Sequence, residues 1–181
     1  ILHKELYDNG VDLILEDAVK EIKEDKVILN SGKEVDAQAV VMAIGVCPET
    51  ELAERAGLEL GETGSIKVDH NYRTSDKDIY AIGDAIEVYC RQTQEKTRLP
   101  LAGPAQRQAR AAADAIYDKD HTHNGIIGSS VVRIFDMNAA STGINEKQAQ
   151  DVGIPYDIVY LIPGDKVGLM PGSHPMHFKW I

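Results

Sequence analysis

Cysteine is almost absent. Among 181 residues there are two, Cys47 and Cys90, far apart and not in a C-x-x-C pair. That excludes a disulfide framework and points to a reducing compartment, the cytoplasm. No apolar run is long enough to span a bilayer. Positive charge is in deficit, with a net charge of -10. So acidic a surface repels phosphate backbones and argues against nucleic acid as a partner. An initiator Met and an apolar leader are also missing, since the chain opens on Ile1-Leu2-His3-Lys4. It closes on "MHFKWI" (176–181), a strand-like alternation with no turn after it. Together the ends read as a fragment cut on both sides.

What is present is ordinary for a globular chain: 43% hydrophobic and 27% charged residues. The length suits one large domain or two small ones. Leu2 to Tyr7 reads as a helix and "VDLIL" (11–15) as a short strand. Val19 and Ile22, then Val27 and Leu29, flank a charged turn, and Asn30-Ser31-Gly32 makes a second turn. This predicts a small antiparallel meander. "AVVMAI" (39–44) is apolar throughout, as a strand buried on both faces would be.

Further on, "ETELAERAG" (49–57) is a short helix with a glycine stop. "SIKVD" (65–69) reads as a strand, "IYAIG" (79–83) as a buried strand, and "AIEVYC" (85–90) as another candidate. "PAQRQARAAADAIY" (104–117) is the clearest helix, with Pro104 in its first turn. Ala105, Ala109, Ala112, Ala113 and Ile116 mark its expected packing face. A polar link at 118–130 separates this part from a strand "VVRIF" (131–135), a helix "NEKQAQDVG" (145–153) and a strand "YDIVYLI" (156–162). Asn145 is the expected N-cap and Gly153 the stop.

"IYAIGD" places a glycine and a carboxylate, Gly83 and Asp84, at a strand end. In open α/β sheets that is where ligands lie. The acid could accept hydrogen bonds from sugar or ribityl hydroxyls; a plain Gly-Asp turn is the competing reading. About twenty residues on, Leu101-Ala102-Gly103 leads into the helix at Pro104. Its free N–H groups could face an electron-rich ring edge, or it is a simple helix entry. "VVMAIGVCPET" (40–50) repeats the strand-glycine-turn design around Gly45.

In that order these segments resemble the pyridine nucleotide–disulfide oxidoreductases. "AVVMAIGVCPET" is similar to the strand that closes the family's NAD-binding domain. "TSDKDIYAIGDAIEV" (74–88) is similar to its second flavin motif, whose aspartate holds the ribityl chain of FAD. "LPLAGPAQRQAR" (99–110), "FDMNAASTGINEKQAQ" (135–150) and "LMPGSHPMHFKWI" (169–181) resemble the coenzyme A-disulfide reductase and NADH oxidase branch. The resemblance implies an α/β fold: incomplete FAD- and NAD(P)-binding Rossmann-type domains, then a partial α+β dimerisation domain. The implied divisions are 1–50 for the end of the NAD(P) domain, 51–120 for the second half of the FAD domain, and 128–181 for dimerisation. Asp84 with Gly83 would hold FAD, the backbone at Leu101, Ala102 and Gly103 would lie near the ring, and Gly45 would line the nicotinamide side.

Carried over, the activity is electron transfer from NAD(P)H through FAD and a cysteine centre to a disulfide, persulfide or oxygen, in a homodimer. That cysteine is expected upstream of this chain, so no catalytic residue is assigned within it. Neither Cys47 nor Cys90 has an activating neighbour pair in sequence, and both read as structural. No G-x-G-x-x-G loop occurs; Gly57, Gly61 and Gly64 have the wrong spacing. The 181 residues alone are therefore expected not to retain FAD. Leu169-Met170 stands where many relatives carry paired tyrosines, which weighs against coenzyme A disulfide as substrate.

Two other readings remain open: a dimerisation or interaction module without catalysis, and a rubredoxin- or ferredoxin-type reductase, against which "FDMNAASTGINEKQAQ" stands. No metal site is expected; His121, His123, His174 and His177 are the candidate ligands against that reading. Arg107 and Arg110 read as solvated charges, with a phosphate contact as the alternative.

Overall fold

A computed structural model describes residues 1–119 and 125–181. It is a mixed α/β structure whose chain divides into two compact units.

One unit comprises Ile1–Cys47 and Ser130–Ser141. It opens with helix α1 (Leu2–Asp8). The expected meander forms from β1 (Val19–Ile22), β2 (Lys26–Leu29) and β3 (Glu34–Asp36), antiparallel in that order. Val27 sits opposite Ile22 on one side and Val35 on the other. Val27 and Leu29 are buried, so the central strand carries this unit's small core. The turn before β3 needs a left-handed residue, and Gly32 supplies it at φ +87. Asp17 fastens that turn, accepting from the Ser31 hydroxyl at 2.6 Å and from the Ala18 N–H at 2.9 Å.

Two expected strands are not formed here. Residues 11–15 and 39–44 run without a ladder among the described residues. In 39–44, Val41 is 89% and Ile44 84% exposed, opposite to the burial their apolar character predicts. A strand exists only by pairing, and no described residue offers this run a partner. Composition reports what a segment needs covered and not what covers it. The β6 (Ser129–Ile134) and β7 (Met137–Thr142) hairpin forms a two-stranded sheet, of which Ser130–Ser141 belongs to this unit.

The other unit comprises Pro48–Ser129 and Thr142–Ile181. Helix α2 (Glu51–Arg55) ends as expected, with Gly57 at φ +74 and the Leu58 N–H returning to the Ala53 carbonyl. The core gathers Tyr72, Ile86, Val88 and Ala112, with Ile66, Tyr80, Leu99 and Ile126 packed around them. Within 65–69 the ladder shrinks to Ile66, which bridges Leu60 and Ile86. "IYAIG" is likewise not a buried strand: Tyr80 makes one bridge to Arg73, and Ile79 and Ile82 are 38% and 41% exposed. Bonded to residues 72–74 through the Thr74 N–H to the Ile79 carbonyl and the Ala81 N–H to the Tyr72 carbonyl, the segment stays extended and half-open.

β4 (Val88–Tyr89) and β5 (Lys96–Thr97) pair as a short hairpin. Helix α3 (Ala102–Ile116) buries Pro104, Gln108, Ala112 and Ala115. Of the expected face, Ala112 is buried and Ala105 half-buried, but the rest is turned away. Ala109, Ala113 and Ile116 are exposed, and the packed line passes through a glutamine. Helix α4 (Glu146–Asp151) has the expected cap. The Asn145 side chain accepts from the Gln148 N–H, and the Gln148 side chain accepts from the Asn145 N–H, each at 2.9 Å. Gly153 stops it at φ +71. β8 (Val159–Leu161) pairs antiparallel with β9 (Phe178–Trp180). Glu146 ties α4 to β9, bonding Lys179 Nζ at 2.5 Å while also accepting from the Tyr156 hydroxyl at 3.1 Å.

Candidate functional site

The chain reaches Ile82 extended, at φ -142 and ψ 167, and leaves Ile86 extended. Between them lies a single 3-10 turn, Gly83–Ala85. Gly83 has φ +85, a conformation costly for any residue with a Cβ. A Cβ there would meet only Ala105 Cβ at 3.9 Å, so the backbone angle rather than crowding calls for glycine. Asp84, at the centre of the turn, is exposed.

Both shoulders of the turn are held. On one side the Gly83 N–H donates to Gln108 Oε1 of α3 at 2.7 Å. On the other, the Ile66 N–H donates to the Ala85 carbonyl at 2.8 Å and the Glu87 N–H to the Ile66 carbonyl at 2.9 Å. The turn therefore packs on α3. The head of that helix has Leu101 as an extended N-cap without a side-chain cap. Its first turn is Ala102, Gly103 and Pro104, so the unpaired backbone donors there belong to Ala102 and Gly103. A Cβ on Gly103 would meet nothing within 4 Å. Of the expected site residues, Gly83, Asp84, Leu101, Ala102 and Gly103 share this unit. Gly45 belongs to the other unit, at φ +89.

Behind the turn lies a residue that sequence reading missed. Glu87 has only 3% of its side chain exposed. Its carboxylate accepts from the Thr63 N–H at 3.0 Å and the Thr63 hydroxyl at 3.2 Å, and pairs with Lys96 at 3.3 Å. Burial pushes its carboxyl upward. The bonds from Thr63 and Lys96 outweigh that and hold it below the usual glutamate value. Lys96 also lies over the Tyr89 ring, 3.9 Å from its centroid. The glycines at 61 and 64 thus belong to a loop wrapped around a carboxylate of the same chain. A Cβ on Gly61 would overlap the Glu87 carboxylate.

Cys47 is exposed and Cys90 half-buried, both as free thiols. Burial pushes the Cys90 thiol up, but hydrogen bonds from Thr93 and Gln92 hold it below its usual value. Cys90 lines a cavity of about 290 Å³ with Lys96, Leu99, Ile126 and Gln148. Asp84 and the head of α3 are not part of its wall. Among the described residues no group of three or more His, Cys, Asp and Glu could hold a metal ion. His174 and His177 are exposed, as are Arg107 and Arg110. His121 and His123 lie outside the described residues.

The family model described as pyridine nucleotide-disulphide oxidoreductase matches residues 1–109. The coenzyme A disulfide reductase of Staphylococcus epidermidis is 30% identical over 155 residues, 85% of this chain and 35% of that protein. The structure of reduced CoADR-RHD from Bacillus anthracis superposes with a TM-score of 0.93 at 41% identity, covering 98% of this chain and 32% of that one. A NAD-dependent persulfide reductase from A. fulgidus gives 0.92 at 35% identity, over 98% and 34%. The chain thus spans about a third of the length of the curated relatives it matches. The turn at Gly83–Asp84 and the chain leading up to it lie within the matched segment, and the chain belongs to the pyridine nucleotide-disulphide oxidoreductase family.

Proposed function

We propose that this chain forms part of an FAD-dependent NAD(P)H oxidoreductase acting on a disulfide or persulfide, with oxygen as the alternative acceptor. The observation that carries the reading is the exposed Asp84 on a turn fastened through Gln108 to α3, a helix whose head is uncapped. An open carboxylate suits the hydroxyls of a ribityl chain, and two unpaired N–H groups suit an electron-rich ring edge. These features fit one side of a flavin. When bound, FAD would supply the electron relay between NAD(P)H and a cysteine-based centre.

Within that scheme Asp84 anchors, Gly83 gives the turn its shape, and the backbone of Leu101, Ala102 and Gly103 lies beside the ring. Gly45 borders the nicotinamide side. The divisions at 1–50, 51–120 and 128–181 follow as parts of NAD(P), FAD and dimerisation domains. The relatives' names, coenzyme A disulfide reductase and persulfide reductase, support the sulfur acceptors. Leu169 and Met170 bring no hydroxyl to the tail and favour a persulfide over coenzyme A disulfide. The cytoplasm is the compartment we propose, in keeping with two free thiols. Among the described residues no helix is long and apolar enough to cross a membrane.

The test uses the full-length protein that carries this chain. Asp84→Ala is expected to weaken FAD binding roughly ten- to a hundredfold, the range for losing hydrogen bonds to a charged group. Flavin absorbance per protein and titration of the apoprotein measure it. Unchanged flavin content would defeat the assignment.

A second reading, a pairing module, is favoured by one observation. The β8–β9 hairpin exposes Tyr160, Ile162 and Trp180 at 69%, 65% and 66%. In a homodimer those side chains would be covered, and the two readings are compatible in one protein.

A further inference from the structure

Resting on the flavin reading above, we propose that Gln108 is a positioning residue that sets the orientation of Asp84 and locks its turn to α3. Gln108 is 3% exposed and lies on the packed line of α3, one turn from Pro104 and one turn from Ala112. An aliphatic side chain would fill that place at least as well if packing were its whole role. What the amide adds is an acceptor. Its Oε1 takes the Gly83 N–H at 2.7 Å, across 25 residues of sequence.

The consequence is geometric. Gly83 is in the left-handed region, where the backbone is least held by its own sterics. The bond fixes the peptide that enters Gly83, one residue before the carboxylate. It also joins two elements that would meet opposite parts of one cofactor: the acid for the ribityl chain and the helix head for the ring. Without the acceptor the Gly83 N–H is left unpaired and only the Ile66 shoulder still holds the turn, so Asp84 loses its fixed orientation.

The experiment measures FAD affinity of the full-length protein by apoprotein titration, in Gln108→Met, Gln108→Glu, Asp84→Ala and the double variant Gln108→Met/Asp84→Ala. Gln108→Met keeps the bulk and removes the acceptor, and is expected to weaken FAD roughly ten- to a hundredfold. Gln108→Glu keeps an accepting oxygen and is expected to stay within about threefold of the parent. In the Asp84→Ala background, Gln108→Met should cost no more than about threefold further, because its effect runs through that carboxylate.

Affinity unchanged in Gln108→Met overturns the proposal. So does full additivity with Asp84→Ala, which would mark a role in the fold alone. Should Gln108→Met fail to fold, a Gln108→Glu protein that folds yet loses flavin overturns it as well. Undiminished binding in Asp84→Ala would instead sink the flavin reading itself, so the two failures are distinguishable.

Discussion

At the scale of single residues, one buried carboxylate ties two segments of its unit together. Glu87 holds the 61–64 loop through Thr63 and the β4–β5 hairpin through Lys96. Replacing it by Gln leaves the Lys96 ammonium without a full counter-charge, and is expected to cost about 1–3 kcal/mol in denaturant unfolding of the full-length protein. The pH dependence follows from its lowered pKa. The contribution is complete above the ordinary glutamate value of 4.5 and is lost as pH falls through the lower folded value. The Glu87→Gln protein should therefore lose less stability than its parent on acidification in that window. The turn at Gly83 and Asp84 was legible in the sequence because glycine beside a carboxylate after an apolar run is a local pattern. Glu87 and Gln108 were not, since the groups that explain them lie 24 and 25 residues away in the chain. A lone polar residue on an apolar face was the available signal for Gln108.

At the scale of elements, local chemistry fixed most boundaries. The Asn145–Gln148 reciprocal bonds, the glycine stops at 57 and 153, and the Asn30-Ser31-Gly32 turn all act within a few residues. Removing the α4 cap with Asn145→Ala is expected to destabilise the protein by about 1 kcal/mol, read as a lower denaturant midpoint with unchanged slope. Strands fared worse, as their physics is not local. Residues 39–44 and 79–83 have the composition of buried strands, yet burial is conferred by neighbours that the run itself cannot name. The face of α3 was misjudged for a related reason. An alanine-rich helix has little hydrophobic contrast, so the stripe that packs is chosen by the partner turn at Gly83.

At the scale of the whole molecule, the exposed apolar side chains of β8 and β9 bear on assembly. If they meet a second copy, Trp180→Glu in the full-length protein should shift a dimer toward monomer in light scattering, leaving FAD content within error. A dimer of unchanged stability after that substitution would remove this hairpin from the interface. The family and the mixed α/β class were legible from the order of several short motifs along the chain, none of them specific alone. Along the chain the two compact units interleave, since one takes in both Ile1–Cys47 and Ser130–Ser141.

That interleaving has a consequence during synthesis. A ribosome delivers residues in order, so the unit that holds Ile1–Cys47 cannot be completed until 48–129 have emerged and Ser130–Ser141 follows them. Its early portion must wait for a late arrival. Codon choice or a chaperone acting within that interval would alter the yield of native protein without changing a single contact in it.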